Sequence, residues 1–255
     1  MSYFLEKLGS EDWLLADGAT GTNLFDMGLK SGDAPELWNI KHPGRISDLY
    51  RGAVDAGSDI FLTNSFGGNA LRLKLHNLGT EAFELSKISA EIARNVADSS
   101  QRSVFVAGSV GPTGEIMEPI GDLSHKIAVE VFLEQAQGLK DGGADVLWLE
   151  TISAPEEFVA AAEAFSHVDL PWIGTMSFDT AGHTMMGTSP SSMVNLISSM
   201  SNKPIGFGAN CGTGASDLLR TIQEFSKSAP RKNLIAKGNA GIPKYVDGHI
   251  HYNGT

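Results

Sequence analysis

The stretch Gly142-Gly143-Ala144-Asp145-Val146-Leu147-Trp148 sets glycines suited to a helix C-cap directly ahead of an apolar run of β type. Ala56-Gly57-Ser58-Asp59-Ile60-Phe61-Leu62 repeats the arrangement earlier in the chain. A helix that ends on glycine and passes into a strand within a few residues is half of a βαβ unit. Outward from these two junctions, apolar runs occur at Trp13 to Ala16, Asp59 to Thr63, Val104 to Ala107, Asp145 to Leu149, Trp172 to Met176, Ile205 to Gly208 and Leu234 to Ala236, seven in all. They are near-continuous rather than alternating, as parallel strands covered by helices should be. Between them, Leu85, Ile88, Ile92 and Val96 recur at helical spacing from Glu81 to Asp98, and Ile127, Val131 and Leu139 do so from Ser124 to Asp141, with Ser124 as N-cap. Pro155 and Pro190 suit first helical turns, and Ser216 suits an N-cap. Right-handed crossovers turn this rhythm into a closed eight-fold barrel or an open doubly wound sheet. No Gly-x-Gly-x-x-Gly follows the first run and no Gly-x-x-x-x-Gly-Lys occurs, so the barrel is expected.

With 255 residues, 42% hydrophobic and 19% charged, the chain is expected to form one barrel domain over residues 1–255. The single cysteine, Cys211, excludes an internal disulfide and fits a reducing compartment, so a cytoplasmic location is expected. No long uninterrupted apolar run suggests a membrane span. A net charge of −11 with scattered Lys and Arg argues against nucleic acid, leaving a small molecule as the expected partner. A homo-oligomer stays open.

Each apolar run is followed by a polar residue: Asp17, Asn64, Ser109, Glu150, Ser177, Asn210 and Asn239. In a barrel these positions converge at the carboxyl ends of the strands, where such folds bind their ligands. Singly each is as well explained by loop polarity or capping, whereas seven together point to a binding cup. Asp17 opens Asp17-Gly18-Ala19-Thr20-Gly21-Thr22-Asn23, where glycines let backbone approach a ligand and free N–H groups receive a carboxylate, or simply form a tight turn capped by Asp17. Glu150 leaves a very apolar strand, which is costly unless it meets a cation such as a substrate ammonium. A buried pair with a protein Lys or Arg competes with that, but few basic residues lie near the other strand ends. Cys211, in Gly208-Ala209-Asn210-Cys211-Gly212, sits at a strand end where a thiolate would face the cup, although a lone Cys is more often a small buried hydrophobe. His183, His249 and His251 are not fixed near it by anything in the sequence, and no role is assigned to them.

Asp17-Gly18-Ala19-Thr20-Gly21-Thr22, Thr63-Asn64-Ser65-Phe66-Gly67-Gly68-Asn69, Gly108-Ser109-Val110-Gly111-Pro112-Thr113-Gly114, Gly208-Ala209-Asn210-Cys211 and Lys237-Gly238-Asn239-Ala240-Gly241-Ile242-Pro243 together resemble, in order, the homocysteine S-methyltransferase family. That family includes betaine–homocysteine methyltransferases and the homocysteine-binding domain of cobalamin-dependent methionine synthases. The resemblance implies a (β/α)8 TIM barrel, Zn²⁺ held by three cysteine thiolates, and transfer of a methyl group to homocysteine to give methionine. It makes Cys211 a metal ligand and the catalytic centre, Glu150 and Asp17 the groups that hold the substrate amine, and the backbone around Gly18, Gly21 and Thr22 the receptor of its carboxylate. Asn64 and Asn210 are further expected binding residues. Trp38, early enough to overhang the cup, is a candidate face for a betaine-like donor, with sulfonium donors also open. The family's adjacent cysteine pair follows the eighth strand, and this sequence shows neither, so the barrel is expected to stop short of its eighth unit. Two rivals remain: a lyase or aldolase working through Lys237, and a non-catalytic amino-acid-binding protein without the metal.

Overall fold

The computed structural model describes residues 3–179, 181–230, 233–246 and 249–252. Its elements run α1 (Tyr3–Ser10), α2 (Thr20–Asp26), α3 (Trp38–Lys41), α4 (Pro43–Asp55), β1 (Ile60–Leu62), α5 (Ala70–Lys74), α6 (Ala82–Ser99), β2 (Phe105–Val110), α7 (His125–Asp141) and β3 (Val146–Ile152). There follow α8 (Pro155–Phe165), β4 (Trp172–Met176), α9 (Pro190–Ser199), β5 (Gly206–Cys211), α10 (Ala215–Ser228), β6 (Asn233–Gly238), β7 (Pro243–Val246) and β8 (His249–Tyr252). Strands β1 to β6 form one sheet in sequence order, each pair parallel. This is the curled α/β sheet of a partial TIM barrel.

The junction glycines behave as their sequence implies. Gly57 and Gly143 adopt φ of 103° and 96°, the left-handed conformation that ends α4 and α7 and turns the chain into β1 and β3. Ser124 caps α7 by accepting the Ile127 N–H, and Pro155 and Pro190 start α8 and α9. Ser216 lies inside α10 instead of capping it; Gly214 holds that position, its φ of 152° being open to a residue without Cβ.

Two expectations about strands are corrected. The run Trp13 to Ala16 makes a single parallel bridge, Ala16 to Ile60, so six strands pair where seven are expected. Its residues lie at the sheet margin with Trp13 72% exposed, too little paired to lock a ladder. The tract after Gly241 forms an antiparallel hairpin, β7 with β8, separate from the main sheet.

The continuous apolar runs resolve into two cores because successive strand residues face opposite ways. Ile60, Leu62, Phe105, Ala107, Val146, Trp148 and Ile173 pack on the concave side with Phe4 of α1. Phe61, Val106, Leu147 and Leu149 face the helices, among Phe132, Phe158 and Phe165. The concave positions, continued two residues toward the carboxyl ends, become Asn64, Ser109 and Glu150, so the same alternation that builds the inner core aims polar side chains into the cup above it.

Candidate active site

Six of the seven strand-end polar residues, Asp17, Asn64, Ser109, Glu150, Asn210 and Asn239, line one cavity of about 700 Å³. Ser177 is not among them. Gly18, Gly21, Thr22, Cys211 and Lys237 share the cavity, which α2, β3, β5 and β6 enclose with the loop after β1.

Glu150 lies on the floor. It stands where the β3–β4 register slips between Leu149 and Ile152, a bulge that re-aims side chains at a strand end. Ser109 donates its hydroxyl hydrogen to Glu150 Oε1 at 2.5 Å, and the Ser109 N–H donates to Thr63 Oγ1 at 2.9 Å. Burial pushes the Glu150 carboxyl above the ordinary range; the Lys237 ammonium and the Ser109 hydrogen bond oppose this, and the nearby Asp17 charge adds to it. Asp17 accepts the Leu62 N–H through Oδ2 at 3.0 Å. Its Oδ1 is buried with no hydrogen-bond partner, 3.3 Å from Lys237 Nζ. Burial raises this carboxyl too, with the Lys237 charge the largest opposing influence. A protein cation therefore does pair with Asp17 and acts through its charge on Glu150. Basic residues are scarce at the strand ends, yet Lys237 lies two residues past the inward-facing Ile235 and so points into the cup.

Cys211 closes the far side. It ends β5 with φ of 58°, and Thr151 opposite has φ of 62°, both in the region L-residues rarely visit. Asn210 ties them together: its Oδ1 accepts the Thr151 N–H at 2.9 Å, and its Nδ2 donates to Thr151 Oγ1 at 2.6 Å and to Cys211 Sγ at 3.3 Å. The Thr151 hydroxyl lies 3.8 Å from the sulfur. Non-glycine residues held left-handed side by side, with the side chain between them fully engaged, mark a site whose geometry is imposed by its surroundings. Burial raises the Cys211 thiol, the Thr151 contact and the Lys237 charge working against it and Glu150 with it. Thr151 carries no sequence signal beyond following Glu150.

Asn64 is in place but occupied: its Nδ2 donates to Pro35 O at 2.8 Å and to Asn39 Oδ1 at 3.0 Å, so its amide hydrogens brace the loop after β1. Trp38 does not overhang the cup. It is 5% exposed in the core, edge-on to His42 at 4.8 Å and beneath the Arg45 guanidinium at 5.1 Å. The turn Pro35–Leu37 leads straight into α3 and rotates the indole inward. Phe66 and Tyr252 are aromatic residues that do line the cavity, Tyr252 Oη lying 3.2 Å from Thr22 Oγ1.

A curled parallel α/β sheet with a polar cavity at the carboxyl ends of its strands defines a small-molecule site of the α/β-barrel class. The homocysteine S-methyltransferase family profile matches residues 14–255, and the chain belongs to that family. It is 28% identical over 250 residues to methionine synthase of Mycobacterium leprae, covering 90% of this chain and 20% of that protein, and 28% identical over 254 residues to methionine synthase of Mycobacterium tuberculosis, covering 92% and 21%. The chain thus spans about a fifth of the length of these relatives. Among solved structures, the oxidized form of the homocysteine methyltransferase MmuM from Escherichia coli superposes with a TM-score of 0.77 at 25% identity, covering 92% of this chain and 85% of that one. Its metallated form gives 0.79 at 24% identity, with 92% and 86% covered.

The three-thiolate zinc site implied by the resemblance cannot be assembled from these 255 residues, which contain one cysteine. Among the described residues no group of three or more His, Cys, Asp or Glu is arranged to hold a metal. Cys211 is the one thiol the sequence offers. No helix among the described residues is long and apolar enough to cross a membrane.

Proposed function

We propose that this chain carries the homocysteine site of a homocysteine S-methyltransferase, in which the acceptor's sulfur takes a methyl group from a betaine-like or sulfonium donor to give methionine. The observation that carries this is the joint presence, in one cavity, of two part-buried carboxyls, Asp17 and Glu150, and a thiol, Cys211, with Asp17 and Cys211 both close enough to Glu150 for charge to act between them; a third carboxyl, the buried Glu36, is engaged by the Gly67 N–H at 2.7 Å. Lys237 sets one positive charge against the two carboxylates, which leaves a second cation, such as the ammonium of an amino acid, favoured beside them. Backbone at Gly18, Gly21 and Thr22 lies beside it to take the carboxylate. The side chain then extends toward Cys211, so the acceptor sulfur is held where Asn210 and Thr151 fix the protein's own. In the reaction the new bond joins the homocysteine sulfur to the methyl carbon, the donor keeps the electron pair of the bond that breaks, and the thiol proton is released. The cavity is larger than a four-carbon amino thiol needs, which leaves space for a donor alongside.

Membership of the family supports this reading over a Schiff-base lyase working through Lys237. The test is methionine formation from L-homocysteine with betaine, S-methylmethionine or a dimethylsulfonium compound supplied in turn, with and without added Zn²⁺. Turnover with one donor supports the proposal and names the donor. Trapping of a carbonyl substrate on Lys237 by borohydride, with no binding of homocysteine, overturns it.

A further inference from the structure

Lys237 is the cation that faces both cup carboxylates, and its present contacts are provisional in a specific sense. Its ammonium forms an ion pair with Asp17 Oδ1 at 3.3 Å, poorly aligned for a hydrogen bond, and that buried oxygen has no other partner. The ammonium also donates to the Gly18 carbonyl at 3.2 Å, in the short link from Asp17 into α2. The side chain is partly open to solvent, 19% exposed, and a lysine stem is long and rotatable. Charge pairing in the cup then has one economical outcome when a zwitterion enters. The cup's own side chains supply three carboxyl groups and one ammonium; Glu36 already accepts the Gly67 N–H at 2.7 Å, which leaves Asp17 and Glu150 as the two that Lys237 faces. An amino acid adds one ammonium and one carboxylate. If the incoming ammonium takes the Asp17 oxygen and Glu150, the Lys237 ammonium loses that partner beside the Gly18 backbone, where the proposed function puts the incoming carboxylate.

We propose that Lys237 is a specificity-determining residue that stands in for the substrate ammonium in the empty cup and moves onto the substrate α-carboxylate in the loaded one. Asp17 and Glu150 are thereby kept neutralised in both states, and the site selects α-amino acids over simple amines. The proposal deepens the homocysteine reading and rests on it.

The test is calorimetric titration of the wild-type chain and of Lys237→Met with L-homocysteine, with its methyl ester, and with 3-aminopropanethiol, which lacks the carboxylate. Wild type is expected to prefer L-homocysteine over the other two by roughly tenfold to a hundredfold, the worth of one charge-assisted contact. In Lys237→Met that preference should shrink to about threefold or less, with 3-aminopropanethiol bound as well as or better than by wild type, because Asp17 is released. A lysine that merely supports the fold or neutralises Asp17 would weaken or strengthen all three ligands alike, and that result overturns the proposal. Should Lys237→Met not fold, Lys237→Gln carries the same comparison, and the wild type alone suffices to refute it by binding L-homocysteine and the methyl ester equally. Binding of none of the three by wild type removes the homocysteine reading itself, and this inference with it, which is a different outcome from loss of the carboxylate preference alone.

Discussion

Ser109 donates its hydroxyl hydrogen to Glu150 across adjacent strands at 2.5 Å, and Thr63 accepts the Ser109 N–H in turn, so three successive strand ends hold one carboxylate in place. A carboxylate fixed this way is prepared to receive a cation without first reorganising. Glu150→Gln keeps the shape and an acceptor for Ser109 but removes the charge, and it should weaken L-homocysteine binding by roughly tenfold to a hundredfold. Because burial disfavours the charged form, the same variant should melt no lower than wild type. Calorimetry and a thermal melt on the same sample check both halves.

The raised carboxyls of Asp17 and Glu150 give a pH dependence of definite sign. Between the ordinary carboxylate range and their raised values, the folded chain holds protons that the unfolded chain has already released. Stability contributed by these groups is therefore present at low pH and declines as pH rises through that window. Homocysteine binding needs the ionised carboxylates and should strengthen over the same window. Thermal melts against pH should show a shallower decline for Glu150→Gln than for wild type; identical slopes would contradict the assignment.

Much of this site was legible in advance because one physical fact governs it. Strand residues alternate, so the residue after an apolar run that continues the inner face must point into the cup, and Asn64, Ser109 and Glu150 followed from Leu62, Ala107 and Trp148. The same rule applied to Ile235 points to Lys237, but the scarcity of basic residues drew attention away from it. Thr151 was not legible, since its place beside Cys211 depends on a β-bulge and a left-handed backbone that no side-chain pattern announces. The loop position of Trp38 suggests overhang, whereas its indole is buried against Arg45 and His42, a packing that sequence position does not announce. The first run looked like a strand by composition, but strand pairing is a property of neighbours, and Trp13 to Ala16 makes only one bridge.

Gly208 shows how tightly the cup's wall is set. A Cβ there would lie 2.0 Å from the Ile235 carbonyl oxygen, a backbone atom that cannot step aside without parting β5 from β6. Gly208→Ala should destabilise the fold by about 3 kcal/mol or more, at the upper end of overpacking costs. It should also separate Cys211 from Lys237, so that urea unfolding and homocysteine affinity suffer together. An unaltered midpoint would count against the close pairing of these strands.

Cys211 is half-buried and not part of the apolar cores, so Cys211→Ala should cost about 1 kcal/mol or less in urea unfolding. Under conditions in which wild type forms methionine, the variant should form none. Retained turnover would remove the thiol from the mechanism while leaving the amino-acid cup intact.

The most direct test of the central claim, that Asp17 and Glu150 form an ammonium receptor for homocysteine, is calorimetric titration of the wild-type chain with L-homocysteine against 4-mercaptobutanoate, which differs by the amine alone. These two part-buried carboxylates predict that L-homocysteine binds and that the analogue binds at least about a hundredfold more weakly, since it offers no cation and adds a negative charge to the cup. Equal affinity for the two ligands would contradict the account.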